Sequence, residues 1–152
     1  MKIAWMYLDK KAAAINALKD YANMARIIQK YEDDIRETRA HLTSIQTPEL
    51  NGITGKADPG TMENKAAMTL DLIDVVEKRY RHAQEYMAWF QPAWAELTET
   101  EQLILTSFCL REDVSYGEAV QHLGALLGLE KTALYVRKDK AARHLALMLY
   151  GI

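Results

Sequence analysis

Apolar positions recur every three and four residues along two long stretches of the chain, the spacing of a helix that buries one face. From Lys10 to Ile45 neither Gly nor Pro interrupts the sequence. Tyr21, Ile28, Ile35 and Leu42 recur at intervals of seven, and Met24, Tyr31, Thr38 and Ile45 repeat the series three residues later. Paired series of this kind form a seam along one side of a helix. The positions between them carry charge of both signs, as in Lys30, Glu32, Asp33, Asp34, Arg36, Glu37 and Arg39. A second stretch, from about Met62 to Phe90, has the same design. Its series are Ala66, Ile73, Tyr80, Met87 and Thr69, Val76, Ala83, Phe90. Pro92 is expected to end this helix, because proline has no N–H and disfavours helix in the residue before it.

The segment between them, Thr47 to Gly60, holds three of the chain's 7 Gly and two of its 3 Pro, and so reads as a loop. Its Gly52-x-x-Gly55-Lys56 spacing lacks the four intervening residues and the following Ser or Thr of a phosphate-cradling P-loop. Two amphipathic helices joined in this way are expected to fold back as a long antiparallel hairpin. A two-helix hairpin leaves part of each seam uncovered, which points to a homodimer.

The third stretch, Trp94 to Ile152, is divided by capping signals. Thr98 precedes Glu101 by three, and Ser115 precedes Glu118 by three, each the spacing of a capping box. The first of these helices, with Leu103, Ile104, Leu105 and Phe108, is expected to run to about Arg111. The second should bury Ala119, Val120, Leu123, Leu126 and Leu127, and end where Gly128 takes the left-handed conformation. A third helix is expected from Lys131 to Leu149, with Leu134, Ala141, Leu145 and Met148 facing the core. Two helices joined by a short turn with Gly, the second one basic, form a helix-turn-helix pattern.

Charge gives that last helix a direction. The whole chain carries 19 Lys+Arg against 21 Asp+Glu, a net charge of -2, so it does not hold nucleic acid by bulk charge. From Lys131 onward the charged residues are Lys131, Arg137, Lys138, Lys140 and Arg143 against Asp139, a local +4. Lys131, Thr132, Tyr135, Val136 and Lys138 fall away from the apolar stripe, in the half of the helix that a helix-turn-helix offers to the major groove. Lys and Arg there supply phosphate contacts and, where geometry allows, contacts to guanine.

Two motifs carry a family resemblance. Leu97-Thr-Glu-Thr-Glu-Gln-Leu-Ile-Leu105 resembles the opening of the C-terminal DNA-binding region of bacterial sigma factors. Leu129-Glu-Lys-Thr-Ala-Leu-Tyr-Val-Arg-Lys-Asp-Lys-Ala-Ala-Arg-His-Leu145 resembles that family's recognition helix, including the ending at Lys140, Ala141, Arg143 and Leu145. The whole chain is similar to small phage and prophage late-gene transcriptional regulators of the ArpU kind, which join a helical N-terminal part to a sigma-like tail. The resemblance implies base reading by Lys131, Thr132 and Val136, and backbone contacts by Tyr135, Lys140 and Arg143. The chain departs from the family at Val136, which offers a base edge only its methyl groups, and at Glu130, where a Ser or Thr cap is usual. The second helix is also about one turn longer.

Other chemistry is thinly represented. His41, His82, His122 and His144 show no metal-ligand spacing. Glu32, Asp33, Asp34 and Glu37 sit among Arg36 and Arg39 and read as helix-surface pairs. The lone Cys109 lies in an apolar stretch and reads as a buried structural thiol. Tyr86, Trp89, Phe90 and Trp94 are expected to bury the junction between the hairpin and the tail. No run of 18 apolar residues and no signal peptide is present, which points to a cytoplasmic protein without membrane contact.

The sequence therefore predicts an all-α protein: a long antiparallel helical hairpin (1–91, linker 47–60) followed by a sigma-like helix-turn-helix (92–152). The expected function is sequence-specific binding of double-stranded DNA in phage-type transcriptional regulation, without catalysis, cofactor or metal, by a homodimer. The expected DNA-binding residues are Lys131, Thr132, Tyr135, Val136, Arg137, Lys138, Lys140 and Arg143. Two alternatives share the pattern. One is a small terminase-like subunit that recognises DNA for packaging. The other is a protein-binding module that docks on RNA polymerase without touching DNA.

Overall fold

A computed structural model describes residues 9–46 and 59–151. The described residues form five helices and no strand: α1 (Lys10–Gln46), α2 (Pro59–Ala95), α3 (Glu99–Cys109), α4 (Tyr116–Leu127) and α5 (Lys131–Tyr150). The protein is all-α, as the periodicity predicts. Most of the expected linker, 47–58, lies outside the described residues. Its last two residues, Pro59 and Gly60, belong to α2 instead. A proline in the first turn loses nothing, because its N–H would have no partner inside the helix.

The chain divides into two compact units. One is Met24–Glu85. The other combines Met1–Asn23 with Tyr86–Ile152, of which 9–23 and 86–151 are described. The division at Gln91 drawn from the sequence separates expected roles; the compact units divide the chain elsewhere.

Within Met24–Glu85 the seam positions face inward as their spacing demands. Ile35, Thr69 and Ala83 are buried, and Ile28, Tyr31, Leu42, Ile73, Val76 and Tyr80 are partly buried. Tyr31 and Tyr80 stack with ring centroids 3.9 Å apart. The polar seam residues satisfy themselves locally. Thr69 donates to the Lys65 carbonyl at 2.9 Å and Thr38 to that of Asp34 at 2.7 Å. Met68, Leu70, Leu72 and Val75 are exposed on α2.

The other unit holds the main apolar cluster. Ala14, Ala17 and Leu18 of α1 meet Phe90 and Ala93 of α2, Leu97, Leu105 of α3, and Ala141, Ala142, Leu145 and Ala146 of α5. The alanines let helix backbones approach closely, and the large side chains fill the space between. Phe90 is fully buried and stacks on Tyr21 at 4.5 Å. Tyr86 donates its hydroxyl to the Ala17 carbonyl at 2.8 Å. Burial, then the nearby Asp20 and Tyr150, push its pKa up to about 12, so it remains a donor. Phe90, Tyr86 and Trp94 thus pack inward, while Trp89 is 42% exposed. Cys109 packs at the edge of the same cluster, and burial pushes its thiol pKa up against the opposing pull of Lys138 and Lys19.

Three expectations need correction. Pro92 does not end α2, which continues to Ala95. Its missing N–H and ring crowding cost about 3 kcal/mol. Phe90, Ala93 and Leu97 are buried on either side of it, and full burial of residues such as Phe or Leu is worth about 1.5–3 kcal/mol each. Packing outweighs the local preference. Leu126 is not on the buried face of α4 but is 59% exposed, and Met148 of α5 is also exposed. In both helices the inward face is narrower than the apolar stripe: Ala119 and Leu123 suffice in α4, and Leu134, Ala141, Ala142, Leu145 and Ala146 in α5.

Both capping boxes form. Thr98 accepts from the Glu101 amide and Ser115 from that of Glu118, and each glutamate returns the bond to its cap's amide at 2.9 Å. Asp9 caps α1, accepting from the Ala12 amide at 3.1 Å. Gly128 ends α4 at φ 65° with its N–H on the Gly124 carbonyl. Gly128→Ala should cost about 1–2 kcal/mol, the penalty of a Cβ in the left-handed region. Gly117→Ala, in open space within α4, should cost nothing and serves as the control in the same denaturant titration.

Candidate nucleic-acid interface

The turn between α4 and α5 sets the site. The Leu129 amide donates to the Gly124 carbonyl at 3.1 Å, and the Leu129 carbonyl lies 3.0 Å from where a Cβ on residue 124 would stand. Gly124 therefore lets the turn close tightly onto α4. Glu130 follows as the N-cap of α5 with no side-chain capping bond, so its carboxylate adds a negative charge beside the first turn. α5 packs against α3 and α4, and α3 against α4.

Helical spacing then divides α5. Leu134, Ala141, Ala142, Leu145 and Ala146 lie inward. Thr132, Val136, Lys140, Arg143 and Leu147 lie on the opposite side, and all five are exposed. Arg137 is exposed at the margin of that face, and Lys131 is exposed on the first turn of α5, in line with Leu134 and Lys138. Of the eight expected site residues, Thr132, Val136, Arg137 and Lys140 share one open surface, Lys131 stands exposed at the start of the helix, and none of these five makes an ion pair.

The other three are engaged within the protein. Lys138 turns toward α3 and α4. Its ammonium lies 5.1 Å from the Phe108 ring centre and 5.0 Å from that of Tyr116, and donates to the Tyr116 hydroxyl at 3.2 Å. Tyr135 is half-buried in the same group, stacked on Tyr116 at 5.6 Å and near Phe108 at 6.4 Å. Loss of hydration, then Tyr116, pushes its pKa up. Lys131 lies 5.9 Å from the Tyr135 ring centre at the open edge of this group. Arg143 pairs through Nε with Asp139 at 2.7 Å, and the other Asp139 oxygen takes Lys11 Nζ at 2.7 Å. These two cations hold the Asp139 carboxyl below the usual carboxylate range.

Sequence reading missed the lysine–aromatic group, the doubly paired Asp139, and the contact of His144 Nδ1 with Glu101 at 3.0 Å. The Lys138–Tyr116, Asp139–Lys11 and His144–Glu101 contacts join residues 22, 128 and 43 apart, so no local spacing announces them; the Asp139–Arg143 pair, four apart on α5, is the one that helical spacing could have found. Partial burial pushes the Glu101 carboxyl up. The Thr98 amide and His144 outweigh it and hold the group below its usual pKa. A lowered folded-state pKa contributes stability above the unfolded value near 4.3, and that contribution is lost as pH falls through the folded one. Glu101→Gln should therefore destabilise the protein at pH 6 and approach the unaltered chain at pH 3, as read from denaturation midpoints at each pH.

Among the described residues, no group of three or more His, Cys, Asp or Glu is placed to hold a metal ion. None of the described helices is long and apolar enough to cross a membrane. No protein-family model, curated protein or solved structure matches the chain.

Proposed function

We propose that the chain is a non-catalytic, sequence-specific DNA-binding protein of the phage transcriptional-regulator type. In this reading α4 and α5 act as a sigma-like helix-turn-helix and α1 and α2 form an antiparallel hairpin. The observation that carries it is the open face of α5 beyond the Gly128 turn, where Thr132, Val136, Arg137 and Lys140 stand exposed together, with Lys131 exposed at the start of the helix. Thr132 offers a hydroxyl to a base edge, Val136 offers methyl groups to thymine, and the cations suit phosphates or guanine. Lys138 is committed to Phe108 and Tyr116, and contributes by fixing α5 against α3 and α4.

The exposed Met68, Leu72 and Val75, spaced four and three along α2, support a second copy of the chain as partner. A sedimentation mass of twice 17.3 kDa is then expected.

The test is selection of bound duplexes from a random pool at moderate salt. An enriched palindrome is expected, since a two-fold dimer reads two equivalent half-sites. Val136, Leu147 and Leu126 are also exposed, and this apolar content favours a second reading, docking on a protein such as RNA polymerase. Enrichment of no duplex, with co-purification of polymerase, would replace the first reading by the second.

A further inference from the structure

A groove of about 530 Å³ lies beside α5, lined by Asp9, Lys10, Lys11, Arg143, Ala146 and Leu147. Its walls come from opposite ends of the sequence. Lys10 and Lys11 stand on the first turn of α1, and Arg143 on the open face of α5. Ala146 and Leu147 form the floor. Lys140 is exposed three residues before Arg143, so the groove's cations continue the row on the open face.

The charges here are held in a particular way. Asp139 binds Lys11 with one oxygen and Arg143 with the other. The Arg143 pair uses Nε alone, and the Lys11 pair uses one of three ammonium donors. The terminal guanidinium nitrogens and the remaining lysine donors are left for another acceptor. Asp139 thus acts as a bracket that fixes two cations without exhausting them. Asp9, the carboxylate among the lining residues, accepts from the Ala12 amide. Lys10 takes part in neither ion pair. A fixed pair of cations with spare donors, next to an unpaired third, suits an anion that accepts several hydrogen bonds, as a phosphodiester does.

We infer that the first turn of α1 belongs to the DNA interface, with Lys10, Lys11 and Arg143 holding adjacent backbone phosphates beside the segment read by α5. This rests on the DNA-binding reading and extends its surface. The contact is to the backbone, so it adds affinity and orientation but no base preference. Asp139 is a positioning residue.

The experiment uses the full-length chain and a selected duplex, with affinity measured by fluorescence anisotropy across a salt series. Each lost phosphate contact lowers the slope of log affinity against log salt by about 0.9. Lys10→Ala with Lys11→Ala is expected to lower it by about 1.8 and to weaken binding to all duplexes alike. Asp139→Asn frees Lys11 and Arg143 from their bracket and is expected to weaken binding two- to threefold with the helical circular dichroism unchanged; equal or tighter binding would show that Asp139 does not position them. Lys10→Arg with Lys11→Arg should keep the full slope. If the alanine pair loses its helical circular dichroism, Lys10→Ala alone decides, with an expected drop of about 0.9. An unchanged slope in a folded alanine variant overturns the inference. If Lys131→Glu with Arg137→Glu abolishes binding at the same time, the DNA-binding reading survives that failure. If the unaltered chain binds no duplex, both fall.

Discussion

Lys131→Glu combined with Arg137→Glu should abolish duplex binding while leaving the fold intact. Both side chains are exposed and neither makes an ion pair, so reversing them removes no packing. Lys131 gives up only a distant contact with the Tyr135 ring. The effect falls on recognition. Sequence alone offers five cations in α5, but Lys138 sits against aromatic rings and Arg143 is paired with Asp139. Three remain exposed and in no ion pair: Lys131 at the start of α5, and Arg137 and Lys140 on its open face. Phosphate contacts from these three side chains contribute about −2.7 per chain to the log–log salt slope, a share worth roughly a 40-fold loss of affinity between 50 and 200 mM salt. Losing two of the three cuts that share to about −0.9 and adds two repulsive charges. The expected fall in affinity is at least about 100-fold at moderate salt, measurable by anisotropy beside a circular dichroism melt that does not move. Binding that persists at full strength would sink the claim that this face reads DNA.

Phe90→Ala should be the most destabilising single truncation. The ring is fully buried, stacks on Tyr21 at 4.5 Å, and lies within 6.0–6.3 Å of Trp94, Tyr86 and Trp89. Removing it loses the transfer energy of the ring and leaves a void among rigid neighbours. The expected cost is about 3–5 kcal/mol. A typical domain is stable by about 5–15 kcal/mol, so this is a large share of the total. Trp89→Ala, which truncates a side chain that is 42% exposed, should cost clearly less. Denaturant unfolding of the two variants ranks them directly. Equal costs would mean that the aromatic group is not organised around Phe90.

Seam and caps were legible in the sequence because both are local. The heptad series in α1 and α2 place every named position in a buried or partly buried environment. Thr98, Ser115 and Gly128 act at the places their spacing assigns. What spacing could not supply was competition between local preference and distant packing. Pro92 breaks a helix by its own chemistry, yet lies inside one because Phe90 and Leu97 are held by residues far along the chain. Leu126 and Met148 belong to apolar stripes that are wider than the faces α4 and α5 bury, and so stand exposed. Pattern likewise located the basic face, but not which cations on it were engaged. Lys138 looks equivalent to Lys140 until the tertiary fold places Phe108 and Tyr116 beside it, whereas Arg143 meets Asp139 by the four-residue spacing of α5 itself.

The aromatic packing around Phe90 has a spectroscopic consequence. The chain's three tryptophans are Trp5, Trp89 and Trp94, and none falls between Met24 and Glu85. In a Trp5→Phe chain, intrinsic emission therefore comes from Trp89 and Trp94 alone and is a private gauge of one compact unit. Far-ultraviolet ellipticity sums the helices of both. Run side by side in one titration, the two signals act as separate clocks. Superimposed curves would mean that the units lose structure together, and displaced curves would time each one without any label being attached.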